Sequence, residues 1–79
     1  RHMEPLFIII DPSEDNALAS HEGEEFIIVV SGDIELTYGN EKYRLQAGDS
    51  MYYNSVVPHV VSAAGNTPAT IYAVVYTPV

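Results

Sequence analysis

Short hydrophobic runs of strand length alternate with turn residues along almost the whole chain. The runs are rich in Ile, Val, Tyr and Thr, and none repeats its apolar positions every three to four residues as an amphipathic helix does. The pattern therefore predicts an all-β protein. The predicted strands are Glu4–Ile10, Ala17–His21, Glu24–Val30, Asp33–Tyr38, Glu41–Gln46, Ser50–Tyr53, His59–Ala63 and Ala69–Thr77.

The pair Gly39-Asn40 separates two alternating runs and is the strongest hairpin signal in the chain. Successive side chains of a strand point to opposite faces, so Ile34 and Leu36 share one face while Glu35 lies on the other. We expect a hairpin with one face in water.

Two other runs, Phe26–Val30 and Ile71–Tyr76, are apolar at every position and need cover on both faces. Several short strands with turns between them predict a sandwich or barrel, in which a second sheet covers one face. A partner subunit would cover the other. We expect a homodimer in which Glu4–Ile10 covers or extends the partner's sheet.

Composition limits the function classes. The chain has 79 residues, of which 47% are hydrophobic, and no cysteine. This indicates one globular domain without disulfides or thiolate metal sites. No apolar stretch approaches the roughly 20 residues of a membrane span, so no membrane role is expected. A reducing cytoplasm is the expected location.

Charge argues against nucleic acid as a direct partner. The net charge is −8, and the three cations are Arg1, Lys42 and Arg44. A nucleic-acid-binding surface needs many more to neutralise phosphates. Residues 1–3 are interpreted as a remnant of cloning, which leaves a single domain over residues 4–79.

The candidate chemistry involves two histidines and one acid. Strand parity places Glu25 on the same face as His21, four residues earlier. If barrel closure brings His59 close, two imidazoles and a carboxylate form a ligand set for Fe, Mn, Ni or Zn. The alternative is that both histidines are simply hydrogen-bonded residues without a metal.

The chain also resembles the cupin superfamily over nearly its whole length. The resemblance rests on the segments Ser20–Phe26, Ser31–Asp33, Ala47–Ser50 and Val56–His59. Glu25 and Gly32 match the glutamate and glycine of the first family motif, and His21 matches its second histidine. Gly48 and His59 match the second motif. The resemblance implies a small double-stranded β-barrel with a ligand-holding mouth.

The sequence departs from the family pattern at several positions. Ala19 stands where the family's first histidine falls, so one usual metal ligand is missing. Asn54 and Val56 replace a proline and a glycine, and Ala63 replaces an asparagine. The resemblance therefore leaves open a three-ligand metal site or a barrel that binds a small molecule without metal.

Within the family, the chain is most similar to the C-terminal cupin of bacterial helix-turn-helix transcriptional regulators. This resemblance implies a small-molecule-sensing domain and favours a non-enzymatic role. The expected pocket residues are Ala19, His21, Glu25, Tyr53 and His59. The alternative is a small metalloenzyme that uses His21, Glu25 and His59, and a third option is a purely structural dimerisation barrel.

Overall fold

The computed structural model describes residues 2–12 and 17–78, which contain seven β-strands and no helix. Arg1, residues 13–16 and Val79 lie outside the described residues. All strand pairings are antiparallel, and the predicted all-β fold is confirmed. The strands are β1 (His2–Ile10), β2 (Glu24–Ser31), β3 (Asp33–Tyr38), β4 (Glu41–Gln46), β5 (Ser50–Asn54), β6 (His59–Ala63) and β7 (Ala69–Thr77).

Two sheets face each other and form the small double-stranded barrel. The strand order is β1-β7-β2-β5 in the first sheet and β4-β3-β6 in the second. Alternate side chains of both sheets point inward and exclude water from the space between them. The buried core consists of Ile10, Ile27, Val29, Ile34, Leu36, Leu45, Tyr53, Ala69, Ile71 and Ala73.

Seven of the eight predicted strands form within two residues of their predicted ends. β1 begins earlier than predicted, because His2 pairs with Thr77. It therefore includes part of the segment interpreted as a cloning remnant. β2 and β5 each continue one residue further, to Ser31 and Asn54.

The prediction of a strand over Ala17–His21 is wrong. Within this segment only Ala19 forms a β-bridge, to His59, through two backbone hydrogen bonds of 2.9 Å. The backbone N–H of His21 then donates to the carbonyl of Ser55 at 3.0 Å. Residues 17–21 contain two alanines and no β-branched residue, a composition that disfavours a strand. The segment 17–21 instead runs antiparallel beside the start of β6.

The hairpin of β3 and β4 has the predicted form, with a two-residue turn at positions 39–40. Ile34 and Leu36 are fully buried. Glu35 and Lys42 lie on the opposite face and form an exposed ion pair with an N–O distance of 3.8 Å. This face is in water, as expected.

Two glycines make the chain reversals at the ends of β2. Gly23 has a φ of +119°, and a Cβ there would overlap the carbonyl oxygen of Tyr76. Gly32 has a φ of +78°, and a Cβ there would lie 2.9 Å from the Cα of Ala69. Both positions need glycine for conformation and for space. They also place Glu25 near the start of a strand whose other end turns directly into β3.

The outer face of the four-stranded sheet is apolar and open. Register places Phe26 beside Tyr52 and Phe7 beside Tyr72, and the side chains of all four are exposed. The second sheet covers the inner face, as predicted. The expected cover on the outer face, a partner subunit, stays a prediction.

Candidate functional site

The candidate site lies on the inner side of the barrel, where β2, β5 and β6 come together. Glu25 is the second residue of β2 and pairs with Tyr53 of β5. His59 is the first residue of β6. His21 comes from the segment 17–21, which precedes β2. Four separate parts of the chain thus contribute one side chain each.

The carboxylate of Glu25 is the centre of this site. Its Oε1 lies 2.9 Å from Nε2 of His21 and 3.1 Å from Nε2 of His59. The hydroxyl of Ser55 donates to the same oxygen at 3.2 Å. The hydroxyl of Tyr53 donates to Oε2 at 2.7 Å. Both oxygens have partners, so the carboxylate is held in one orientation.

The two histidines differ in exposure. The side chain of His59 is 7% exposed and packs against the ring of Tyr53, with ring centroids 5.2 Å apart. The side chain of His21 is 39% exposed and meets the His59 ring edge-on at 5.5 Å. His59 is therefore fixed inside the barrel, whereas His21 closes the site from the solvent side.

Backbone carbonyls orient both imidazole rings. Nδ1 of His59 lies 2.8 Å from the carbonyl oxygen of Val57, and Nδ1 of His21 lies 3.2 Å from that of Glu22. A carbonyl only accepts, so each Nδ1 carries the proton and donates it. In a neutral ring Nε2 then has a lone pair, and in a protonated ring it donates to the carboxylate of Glu25. When both rings are neutral, the Nε2 lone pairs of His21 and His59 both face Oε1 of Glu25. A proton or a metal cation stabilises such an arrangement.

The surroundings keep Glu25 ionised. Burial alone raises the pKa of its carboxyl, but the hydrogen bond from Tyr53, the charge of His59 and the hydrogen bonds from His21 and Ser55 together outweigh it. The pKa of Glu25 is lowered below its ordinary value of 4.5. For Tyr53, burial comes first and the hydrogen bond to Glu25 second, and both raise the pKa of the phenol. The site therefore combines a carboxylate with a neutral phenol donor.

His21, Glu25 and His59 also form a group of three potential metal ligands in the described part of the chain. Their ligand atoms all lie within 4.8 Å of one another. Two imidazoles and one carboxylate are donors for divalent Fe, Mn, Ni or Zn. Since both Nε2 lone pairs face the carboxylate, the residues present fit such an ion.

A cavity of about 310 Å³ adjoins this group. Glu25 and His59 supply its polar lining, and the remaining lining side chains are aliphatic. They come from β1, β2, β6 and β7, together with Ala17 and Ala19 of the segment 17–21. This volume is at the lower end of the range for small-molecule sites.

The five predicted pocket residues fall into two groups. Ala19, Glu25 and His59 line the cavity. His21 and Tyr53 are not part of that lining, and each contacts Glu25 from beside it. The structure thus brings His21, Tyr53 and His59 together around the carboxylate of Glu25, and Ala19 lines the cavity beside them.

Sequence reasoning missed Ser55. This residue is fully buried, and its hydroxyl contacts Glu25. It lies two residues after Tyr53, just beyond the end of β5, and continues the alternation of buried positions. That parity was the available signal, because a serine two residues from a buried tyrosine points to the same side.

The two basic side chains of the described residues lie away from the cavity. Lys42 pairs with Glu35, and Arg44 approaches Asp33 at 3.6 Å, both on the wet face of the second sheet. The cavity lining within residues 2–12 and 17–78 contains neither lysine nor arginine. The same residues contain no helix with the length and hydrophobicity of a membrane span.

Two known proteins are similar in sequence. The HTH-type transcriptional regulator PuuR of Escherichia coli (strain K12) is 40% identical over 55 residues, which are 70% of this chain and 28% of PuuR. Uncharacterized protein MJ1618 of Methanocaldococcus jannaschii is 31% identical over 58 residues, 73% of this chain and 46% of that protein. The chain therefore spans less than half the length of either relative.

Solved structures with the same fold include an enzyme. Hydroxypropylphosphonic acid epoxidase from S. wedmorenis, in complex with fosfomycin, superposes with a TM-score of 0.82 at 30% identity. The match covers 94% of this chain and 43% of the epoxidase. The SPY1581 protein of Streptococcus pyogenes superposes with a TM-score of 0.87 over the whole chain and 68% of its own, and its 22% identity shows the fold alone.

A protein-family model, described as the cupin domain, matches residues 6–75 of this chain. These include all of the site residues above. The chain therefore belongs to the cupin domain family.

Proposed function

We propose that this cupin domain is the small-molecule-sensing part of a bacterial transcriptional regulator. The observation that carries the proposal is the cavity beside Glu25 and His59, which has the size of a small-ligand site and a polar group at its edge. The similarity to PuuR, a helix-turn-helix regulator by name, supports the regulatory role.

In such a regulator, contact with DNA belongs to a segment other than this domain. The net charge of −8 disfavours phosphate contacts by these residues. Ligand binding would shift the population of conformers of the domain and thereby change the attached DNA-binding segment. A regulator of this kind acts in the bacterial cytoplasm.

We do not propose a phosphonic acid, the compound in the epoxidase's name, as the ligand of this chain. A phosphonate is held by arginine or lysine side chains through charge-assisted hydrogen bonds. The described residues that line the cavity include neither arginine nor lysine. The shared barrel therefore supports a ligand site without supporting the same ligand.

The ligand-binding role is tested by thermal melting with a panel of aliphatic, aromatic and polyol compounds. A compound that binds the folded state raises the melting temperature. Ala19→Leu fills part of the cavity, while Leu18→Phe enlarges the neighbouring exposed side chain, which is not part of the lining. We expect at least one compound to stabilise the wild type and Leu18→Phe but not Ala19→Leu. Equal shifts in all three proteins would contradict the proposal.

A second candidate function, a small metalloenzyme, is favoured by the convergence of His21, Glu25 and His59. Structures of the epoxidase have been solved with Fe(II) and with Co(II). A divalent ion held by these three residues would supply a Lewis acid that polarises a carbonyl or activates water or oxygen. The chain itself contributes the neutral phenol of Tyr53, which orients Glu25.

Metal content distinguishes the two functions. Protein purified without chelator or affinity column is measured for bound metal, and its melting temperature is compared before and after EDTA. Near-stoichiometric metal that is lost together with stability would support the metal-dependent function. A metal-free protein with an unchanged melt would support the organic-ligand sensor.

We also propose a homodimer. The exposed side chains of Phe7, Phe26, Tyr52 and Tyr72 give the four-stranded sheet an apolar outer face, a feature typical of interaction surfaces. β1 is the edge strand of this sheet, and a second copy could either extend the sheet or cover its face.

A further inference from the structure

We infer that the cavity takes a small aliphatic compound with a single polar group at one end. This inference rests on the proposed ligand-binding role and specifies the chemical class of the ligand. It comes from the position of the polar lining residues, the chemistry of the rest of the lining, and the volume.

The polar lining is confined to one end of the cavity. Glu25 pairs with Val75, and four residues further along β2, Val29 pairs with Ile71. At about 3.3 Å per residue, Ile71 lies roughly 13 Å along the strand direction from the Glu25 row. β1 lines the same far region with Ile8, which pairs with Ile71. A ligand anchored at Glu25 therefore extends into purely aliphatic surroundings.

The lining beyond Glu25 and His59 provides no side chain that can hydrogen-bond, within the part of the chain that the structure describes. A second polar group on the ligand would lose its water without a partner. This costs about 5- to 150-fold in affinity. The same lining contains no aromatic side chain, so an aromatic ring would find no ring to pack against. Sugars, diols and diamines are therefore disfavoured.

The volume sets the size of the compound. A cavity of about 310 Å³ corresponds to roughly ten water volumes of about 30 Å³ each. A chain of six to eight carbons with one head group has a comparable number of non-hydrogen atoms. Each methylene added within the cavity should raise the affinity about four-fold, and the gain should stop when the cavity is full.

Calorimetric titration with matched compounds tests the inference. The single-headed probes are hexylamine, 1-hexanol and hexanoate, and each is compared with its two-headed partner, 1,6-diaminohexane, 1,6-hexanediol or adipate. The best single-headed probe is then varied from five to eight carbons. Benzylamine, benzyl alcohol and benzoate serve as aromatic comparisons, and Ala19→Leu and Leu18→Phe are measured beside the wild type.

We expect one head group to bind, its two-headed partner to bind at least about 5-fold more weakly, and affinity to rise with chain length. Ala19→Leu should weaken binding by about ten-fold or more, since its side chain takes up cavity volume. Leu18→Phe should leave binding unchanged. Circular dichroism spectra of both variants establish that they are folded.

Other outcomes separate two kinds of failure. A two-headed, aromatic or polyol compound that binds more tightly, and that Ala19→Leu excludes, would keep the ligand site but overturn the inferred class. Absence of binding by all three single-headed probes would also overturn it. Binding that Ala19→Leu leaves unchanged would lie elsewhere, and would count against the proposed function as well.

Discussion

The hydroxyl of Tyr53 donates a 2.7 Å hydrogen bond to Oε2 of Glu25, and this leaves Oε1 as the oxygen that faces His21 and His59. The tyrosine is buried and its phenol stays neutral, so it is a permanent donor. It therefore fixes which oxygen of Glu25 faces the two proposed histidine ligands.

Replacement of this donor should reduce stability and change its pH dependence. Glu25 has a lower pKa in the folded than in the unfolded chain, so it stabilises the fold above about pH 4.5, and the effect is lost as the pH falls through the folded pKa. Tyr53→Phe raises that folded pKa. We expect the acid unfolding midpoint to move to higher pH, and stability at neutral pH to fall by about 1–3 kcal/mol.

Tyr38→Phe is the matched control for this variant. The Tyr38 hydroxyl donates to the backbone carbonyl of Asn54 at 3.1 Å and does not contact Glu25. Tyr38→Phe should lower the free energy of unfolding by a similar amount at every pH, whereas the loss in Tyr53→Phe should shrink as the pH falls through the folded pKa of Glu25. Urea unfolding followed by circular dichroism between pH 3 and 7 measures both. A loss in Tyr53→Phe that is as independent of pH as the loss in Tyr38→Phe would show that the Tyr53 hydrogen bond does not tune Glu25.

Metal binding should depend on both histidines despite their different exposure. His59→Ala and His21→Ala each remove one of three donors. We expect the affinity for Zn²⁺ or Mn²⁺ to fall by about 100-fold or more, because mutation of a residue that only supports a metal ligand already costs about 10- to 100-fold. Glu22→Gln is the control, because only the backbone carbonyl of Glu22 contacts His21. Equal affinities of His21→Ala and wild type would exclude His21 as a ligand.

Ala19 occupies the position where the sequence departs from the family pattern. It lines the cavity beside Glu25 and His59, and its backbone is fixed by the bridge to His59. Ala19→His should therefore add a fourth donor and raise Zn²⁺ affinity on the order of ten-fold in calorimetric titration. Leu18→His places an imidazole on the adjacent residue outside the lining and should not. An equal gain in both would indicate binding at the surface.

The strand pattern could be predicted from sequence because alternation and turn residues are local properties. The contact of His21 with Glu25 was predicted from strand parity, yet the two residues do not share a strand. Gly23 turns the chain between them, and the side chains still meet. The approach of His59 depends on barrel closure over 34 residues, which spacing alone could not supply. The cavity depends on packed side-chain volumes and had no local signal.

The glycine at this turn should be essential for stability. Gly23→Ala forces an alanine to a φ of +119° and brings its Cβ into the carbonyl of Tyr76. We therefore expect the free energy of unfolding, measured in urea, to fall by about 1–3 kcal/mol or more. Gly65 has no atom within 4 Å of an added Cβ. Gly65→Ala should therefore change stability by less than about 0.5 kcal/mol. Similar losses in the two variants would argue against a special role for Gly23.

The apolar outer face of the four-stranded sheet predicts association that one substitution should abolish. Phe26 lies on a central strand of this sheet and is 41% exposed, so Phe26→Lys should leave the barrel folded while it places a charge within the interface. Lysine also makes the net charge of −8 less negative by one, so repulsion between acidic copies cannot explain a loss of association. Tyr43→Lys makes the same change of charge on β4 of the other sheet.

In sedimentation equilibrium we expect dimers for the wild type and Tyr43→Lys and monomers for Phe26→Lys. Association of Phe26→Lys should be at least about a hundred-fold weaker, because a buried unpaired charge is costly. A monomeric wild type at high concentration would remove the dimer, and a dimeric Phe26→Lys would place the interface elsewhere.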